Sequence, residues 1–107
     1  MRSFLVVLVL CAMSIAAEAV ADGDIAAGKK KSSACRVCHG NKGIGTMPNF
    51  PNLGGQKALY LAEQIRAFRD GTRSNENMNI AVTSLSDQDI ENLAAYYESL
   101  VPGCPGQ

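Results

Sequence analysis

The stretch Cys35-Arg36-Val37-Cys38-His39 decides how the rest of the chain is read. Two thiols three positions apart, with a histidine directly after the second, have the spacing of a c-type haem attachment site. On a turn of helix, residues i and i+3 share a face, so both sulfurs reach the two vinyl groups on one edge of a porphyrin. His39 then projects beneath the ring, where an imidazole nitrogen can bind iron as a proximal ligand. The competing readings are weaker. A dithiol redox motif wants a βαβ surround, whereas helical patterns dominate here. A zinc site needs about four ligands, and the chain has a single histidine.

Working outward, the N-terminus carries Arg2, the apolar run Phe4-Leu5-Val6-Val7-Leu8-Val9-Leu10, and small residues ending in Ala19-Val20-Ala21. A basic start, a short apolar core and an A-x-A ending describe a secretory signal peptide. The apolar run falls far short of the roughly 20 residues that a membrane span needs. The expectation is therefore a signal peptide over 1–21, cleaved after Ala21, and a periplasmic protein over 22–107 with no membrane span in its mature form. Cys11 leaves with the signal. The remaining odd cysteine, Cys104, lies in a segment (102–107) expected to be a flexible tail, where a surface thiol is the plain reading and an intermolecular bridge the alternative.

With 107 residues the chain is one domain, and Lys+Arg and Asp+Glu are both 10, so no bulk charge points to nucleic acid or a membrane surface. A domain this small buries only about 60% of its unfolded surface and usually needs a staple. Covalent haem supplies one. With no Trp, three Phe and three Tyr, the cofactor has to fill part of the core.

In the mature chain, Asp22-Gly23-Asp24 offers capping oxygens for a first helix from Ile25 into the cysteine motif. Gly28 weakens such a helix by about 1 kcal/mol relative to Ala, a cost that close approach of another helix would offset. Residues 40–56 hold five glycines with Pro48 and Pro51 and read as a long loop around the histidine side of the ring. Phe50 and Leu53 are placed to pack on the haem. A backbone carbonyl of this loop is expected to accept the other N–H of His39. Residues 57–70 read as an amphipathic helix with Ala58, Leu61, Ile65 and Phe68 on one face and Gly71 as its C-cap. Residues 72–84 read as a polar connection containing Met78 among Asn75, Asn77 and Asn79. Ser86 caps a last helix, with Asp87 and Asp89 favouring its dipole. That helix runs to about Leu100, with Ile90, Leu93, Ala94 and Tyr97 on one face, until Pro102 stops it.

One axial position of the iron remains. The single histidine excludes bis-histidine ligation within the chain, and the mature chain keeps two methionines, Met47 and Met78. An apolar side chain in an asparagine-rich connection needs a reason, and iron ligation by Met78 is one; gap-filling in the core is the other. Met47 precedes Pro48 just after His39 and belongs more naturally on the histidine side. A methionine-histidine pair raises the haem potential.

Cys-Arg-Val-Cys-His-Gly, then Pro-Asn-Leu-Gly-Gly-Gln, then Met78 ahead of Leu85-Ser86-Asp87, then Leu93-Ala-Ala-Tyr-Tyr, together resemble a class I c-type cytochrome. The likeness is to the small periplasmic bacterial members, including one haem domain of the di-haem forms, and it covers nearly all of 22–101. It implies an all-α fold with three main helices and long loops wrapped around one covalent haem. The first and last helices would cross, at Gly28 against Tyr96 or Tyr97. It also implies Met78 as the distal ligand and the Pro51 carbonyl as the group that steadies His39. A single Cys-x-x-Cys-His makes the chain monohaem.

An iron with both axial positions filled by protein has no room for a substrate. The expected function is one-electron transfer between redox proteins, and not catalysis. Residues 22–57 carry six Lys/Arg (Lys29, Lys30, Lys31, Arg36, Lys42, Lys57) against two acids, and the rest three Arg against seven acids. Basic residues near the haem edge would steer acidic docking surfaces. Two alternatives stand beside this: the cytochrome subunit of a periplasmic dehydrogenase, or a gas- or peroxide-binding haem with a labile Met78.

Overall fold

Asp24 starts the first helix, its carboxylate accepting the Ala27 N–H at 2.9 Å. The structure, a computed structural model, describes residues 23–101, so the expected signal peptide, Asp22, Pro102 and Cys104 lie outside the described residues. Within them are five helices and no strand: α1 (Ile25–Lys31), α2 (Ser33–His39), α3 (Ala58–Asp70), α4 (Glu76–Val82) and α5 (Asp87–Ser99). The fold is all-α, with three helices building the core and two short ones carrying chemistry.

Two elements differ from expectation. The first helix is interrupted at Ser32, which is fully buried. Its hydroxyl donates to the Lys29 carbonyl at 2.7 Å and accepts Arg36 Nε at 3.1 Å. Such back-bonding of a serine into the preceding turn bends helices, and α2 carries the cysteine motif as a separate element. The second difference is α4, which replaces the polar connection that composition suggests. Asn75 caps it, accepting the Met78 N–H at 3.0 Å. Asn79 donates to the carbonyls of Phe68 and Arg73 at 2.7 and 3.0 Å and accepts the Asn75 N–H at 2.7 Å. Asparagine composition hid a helix whose asparagines are its fastenings.

The central element is α5. Ser86 and Asp89 form a reciprocal capping box, each side chain accepting the other's backbone N–H at 3.0 Å. The Ser86 N–H is the main reason the Asp89 carboxyl lies below the usual carboxylate range; Lys31, at 3.4 Å, contributes less. Ile90, Leu93, Ala94, Tyr96 and Tyr97 are buried with Leu61 and Ala62 of α3. The crossing of α1 over α5 is at Gly28. A Cβ there would lie 2.0 Å from the Asn92 carbonyl oxygen and 2.8 Å from Tyr96 Cβ, so Tyr96 is a contact at the crossing. The Asp24 N–H donates to Asn92 Oδ1 at 2.8 Å beside it. Gly71 ends α3 in the left-handed region, at φ 83°.

Candidate functional site

The short helix α2 sets Cys35 and Cys38 one turn apart, and both thiols, with His39, line a single cleft of about 570 Å³. His39 is only 6% exposed. Its Nδ1 lies 2.7 Å from the Pro51 carbonyl oxygen. A carbonyl can only accept, so Nδ1 carries the proton and Nε2 keeps its lone pair for a metal. Gly40 turns the chain out of α2 at φ 75°. Thr46 then donates to the Cys38 carbonyl from its backbone N–H (3.0 Å) and hydroxyl (3.2 Å).

The glycines of the following loop serve close approach. The Gly43 carbonyl accepts the N–H groups of Leu53 and Gly54 at 2.7 and 2.9 Å, and a Cβ on Gly43 would meet Gly54 N at 2.6 Å. The Gly55 N–H donates to the Tyr97 carbonyl at 2.9 Å, fixing the loop to α5. Phe50, Pro51 and Leu53 thereby form one wall of the cleft. Leu61, Ile65 and Phe68 of α3 and Leu93 of α5 form another. Met78 and Val82 enter the lining from α4. Met47 is 56% exposed and outside the lining.

The wall near Cys35 is half-buried. Burial, above all, pushes the Cys35 thiol above its ordinary value, so it stays protonated at neutral pH. Burial also pushes the Tyr97 phenol up, the Cys35 thiol adding to the effect. Cys35 is near enough to perturb Tyr97 but lies outside hydrogen-bond geometry. The Tyr97 hydroxyl is a buried polar atom without a partner among the described residues.

These features fit a covalently attached haem. The two thiols share a face of one helix, the imidazole presents Nε2, Met78 lines the cleft from another helix, and the remaining walls are largely apolar. Among the described residues no carboxylate lines the cleft to repel the porphyrin's own. Among the same residues no group of three or more His, Cys, Asp or Glu side chains converges, so the zinc alternative has no ligand set there. Sequence reasoning missed Asn79 and Arg73, whose placement depends on contacts with α3. It also missed Glu98, whose carboxylate accepts the first N–H of α3, that of Ala58, from α5.

Comparison with known proteins agrees with the geometry. The family model described as Cytochrome c matches residues 25–100. Cytochrome c-554(548) of Halomonas halodenitrificans is 49% identical over 80 residues, covering 72% of this chain and 96% of the relative. Cytochrome c4 of Pseudomonas aeruginosa is 42% identical over 95 residues, 89% of this chain and 47% of the relative. The crystal structure of reduced recombinant cytochrome c4 from Pseudomonas stutzeri superposes with a TM-score of 0.68 at 32% identity, over 75% of this chain and 52% of that one. The chain thus spans about half the length of the cytochrome c4 relatives it matches.

Proposed function

This chain belongs to the cytochrome c family, and from that premise we propose that it is an exported periplasmic electron carrier whose single haem c is attached through Cys35 and Cys38, with His39 and Met78 as axial ligands. The observation that carries the reading is the buried His39 imidazole, its Nδ1 committed to the Pro51 carbonyl at 2.7 Å and its Nε2 left for iron, on the same short helix as the two thiols. When bound, haem c supplies an iron that exchanges one electron.

The chain's own residues account for the rest. His39 and Met78 would together hold the iron of a bound haem and leave it no site for a substrate, the arrangement of a carrier. As a soft ligand to a bound haem, the Met78 thioether would favour the ferrous state and raise the potential. The Pro51 carbonyl holds the proton of His39 on Nδ1, so Nε2 would be free to hold the iron in either oxidation state. Leu61, Ile65, Val82 and Leu93 keep water from the buried side, and a low-dielectric pocket with little to reorganise suits rapid exchange. Among the described residues no helix is long and apolar enough to cross a membrane.

Val37, between the attachment cysteines, is 75% exposed, which gives a partner an apolar foothold at the haem edge. Lys29, Lys30, Lys42 and Lys57 are exposed around it in sequence, and they are the residues we assign to steering acidic redox partners. Arg36 is engaged within its own chain instead. Its guanidinium donates to Ser32 Oγ at 3.1 Å and to the Lys29 carbonyl at 2.7 Å. The variant Lys42→Glu is expected to slow reaction with an acidic partner severalfold at low ionic strength, the difference fading near 1 M salt, where the Debye length is about 3 Å. Equal rates at low salt would remove Lys42 from the docking surface.

The function is tested on exported protein. Acid-acetone extraction should leave the pigment with the polypeptide, and the oxidised protein should show the weak far-red band of methionine-to-iron ligation. A redox titration should follow a single one-electron curve. Pigment that washes out refutes the attachment; a high-spin spectrum lacking the far-red band refutes Met78 as ligand and favours ligand binding at iron.

A further inference from the structure

Buried polar side chains in this protein find partners, with one exception. Ser32 is fully buried, and its hydroxyl donates to the Lys29 carbonyl and accepts from Arg36. His39 is held by the Pro51 carbonyl. Among the described residues, the Tyr97 hydroxyl is the one buried side-chain oxygen or nitrogen with no hydrogen-bond partner. Tyr97 is 2% exposed, so bulk solvent does not supply the missing bond. A buried hydroxyl left unpaired carries its full desolvation penalty.

Tyr97 is not free to seek a partner elsewhere. Its carbonyl accepts the N–H groups of Gly55 and Leu100 at 2.9 and 3.2 Å. Its ring centroid lies 5.1 Å from that of Tyr96, and a Cβ on Gly43 would meet its Cδ1 at 3.3 Å. With the ring packed by Tyr96 and the glycine loop, the cleft that Tyr97 lines is the side from which an acceptor can come. Cys35 lines the same cleft. Burial is the main influence on both the phenol and the Cys35 thiol, and after burial each is the strongest influence on the other.

A free thiol is a weak donor and a weak acceptor. Adding that thiol across a vinyl group forms a carbon–sulfur bond and moves the thiol hydrogen to the adjacent vinyl carbon, with no oxidant consumed. The sulfur keeps its lone pairs and loses its only hydrogen. It can then only accept, and the phenol has a hydrogen to give.

We propose that the Tyr97 hydroxyl donates a hydrogen bond to the Cys35 sulfur once haem is attached, which makes Tyr97 a further cofactor-binding residue of this protein. The inference rests on covalent attachment through Cys35, as read above, but not on Met78. The positive end of the O–H dipole then lies at the attached edge of the porphyrin, in a buried setting where such a dipole acts more strongly than in water. It favours the reduced haem, so Tyr97 raises the reduction potential.

The experiment compares haem-loaded wild type with Tyr97→Phe, which keeps the ring and removes only the hydroxyl. Redox titration and thermal unfolding are combined with resonance Raman spectra of the carbon–sulfur stretching region. Tyr97→Phe should retain covalent haem, titrate at a lower potential, melt at a lower temperature and show a shifted carbon–sulfur band. An unchanged potential with a higher melting temperature overturns the proposal, because removing a hydroxyl that stays unpaired stabilises the fold. The same substitution in a Cys35→Ala background, with haem held by Cys38 alone, completes a double-mutant cycle. There the drop in potential should largely vanish; a drop as large as before overturns Cys35 as the acceptor. If the Cys35→Ala proteins do not accumulate, heavy water replaces the cycle. Deuterating the phenol should shift the carbon–sulfur band of wild type and not that of Tyr97→Phe, and equal behaviour of the two overturns the proposal. Wild type without covalent haem would overturn the proposed function as well, an outcome distinct from any variant's.

Discussion

With both Cys35 and Cys38 replaced by serine, the chain is expected to lose its native fold as well as its colour. The two thiols open on a cleft of about 570 Å³. Unfilled, its apolar lining would face water, and leaving several Leu, Ile and Val side chains exposed at about 1.5–3 kcal/mol each is comparable to the whole stability of a small domain, about 5–15 kcal/mol. The wall residues Leu61, Ile65, Val82 and Leu93 come from three helices that meet across the cleft. Without a porphyrin to bridge them they must collapse or separate. Far-ultraviolet circular dichroism of the purified Cys35→Ser/Cys38→Ser protein should show most helical signal lost and no cooperative thermal transition. A sharp melt with native ellipticity would mean that the polypeptide core is self-sufficient, contrary to the idea that cofactor and core are one object.

A second large effect is expected at Gly28. Alanine is normally the better helix former, by about 1 kcal/mol, so Gly28→Ala on an open face would stabilise. Here the added Cβ would lie 2.0 Å from the Asn92 carbonyl oxygen and 2.6 Å from its carbon. Those are backbone atoms, and no rotamer change relieves the clash; α1 must lift away from α5. Overpacking typically costs about 1–3 kcal/mol and occasionally more. A collision with backbone at the principal helix crossing belongs at the upper end. At about 4–8 °C per kcal/mol for a domain of 60–100 residues, the thermal midpoint of the haem-loaded protein should fall by at least roughly 12 °C. Covalent attachment should persist, since α2 and its thiols lie beyond the Ser32 bend. A midpoint that rises, or holds, would show that the crossing has slack.

Much of the secondary structure was legible because its determinants are local. Asp24, Ser86 with Asp89, and Gly71 each act within three or four residues of the helix end they define. The spacing of Ile90, Leu93, Ala94 and Tyr97 announced the buried face of α5. The bend at Ser32 and the helix α4 were not legible. A buried serine looks like any polar residue in a string, and Asn75 and Asn79 look like loop formers until their partners are known. The bonds that make α4 a helix end on Phe68 and Arg73, eleven and six residues back. The cap of α3 comes from Glu98, forty residues ahead.

What the sequence determined by itself was the chemistry: two thiols and an imidazole spaced for one porphyrin edge, one histidine for the whole chain, and few aromatic side chains to fill a core. Covalent geometry and helical periodicity suffice for that, because every relevant distance lies within a turn or two of chain. Which groups face one another across the cleft was decided only by the tertiary structure. The resemblance implied that Pro51 meets His39, but that Met78 enters on a helix, and that no carboxylate lines the cleft among the described residues, follows from α3, α4 and α5 packing together from separate parts of the chain. Burial and charge pairing act between elements, and no one-dimensional pattern records which elements will touch.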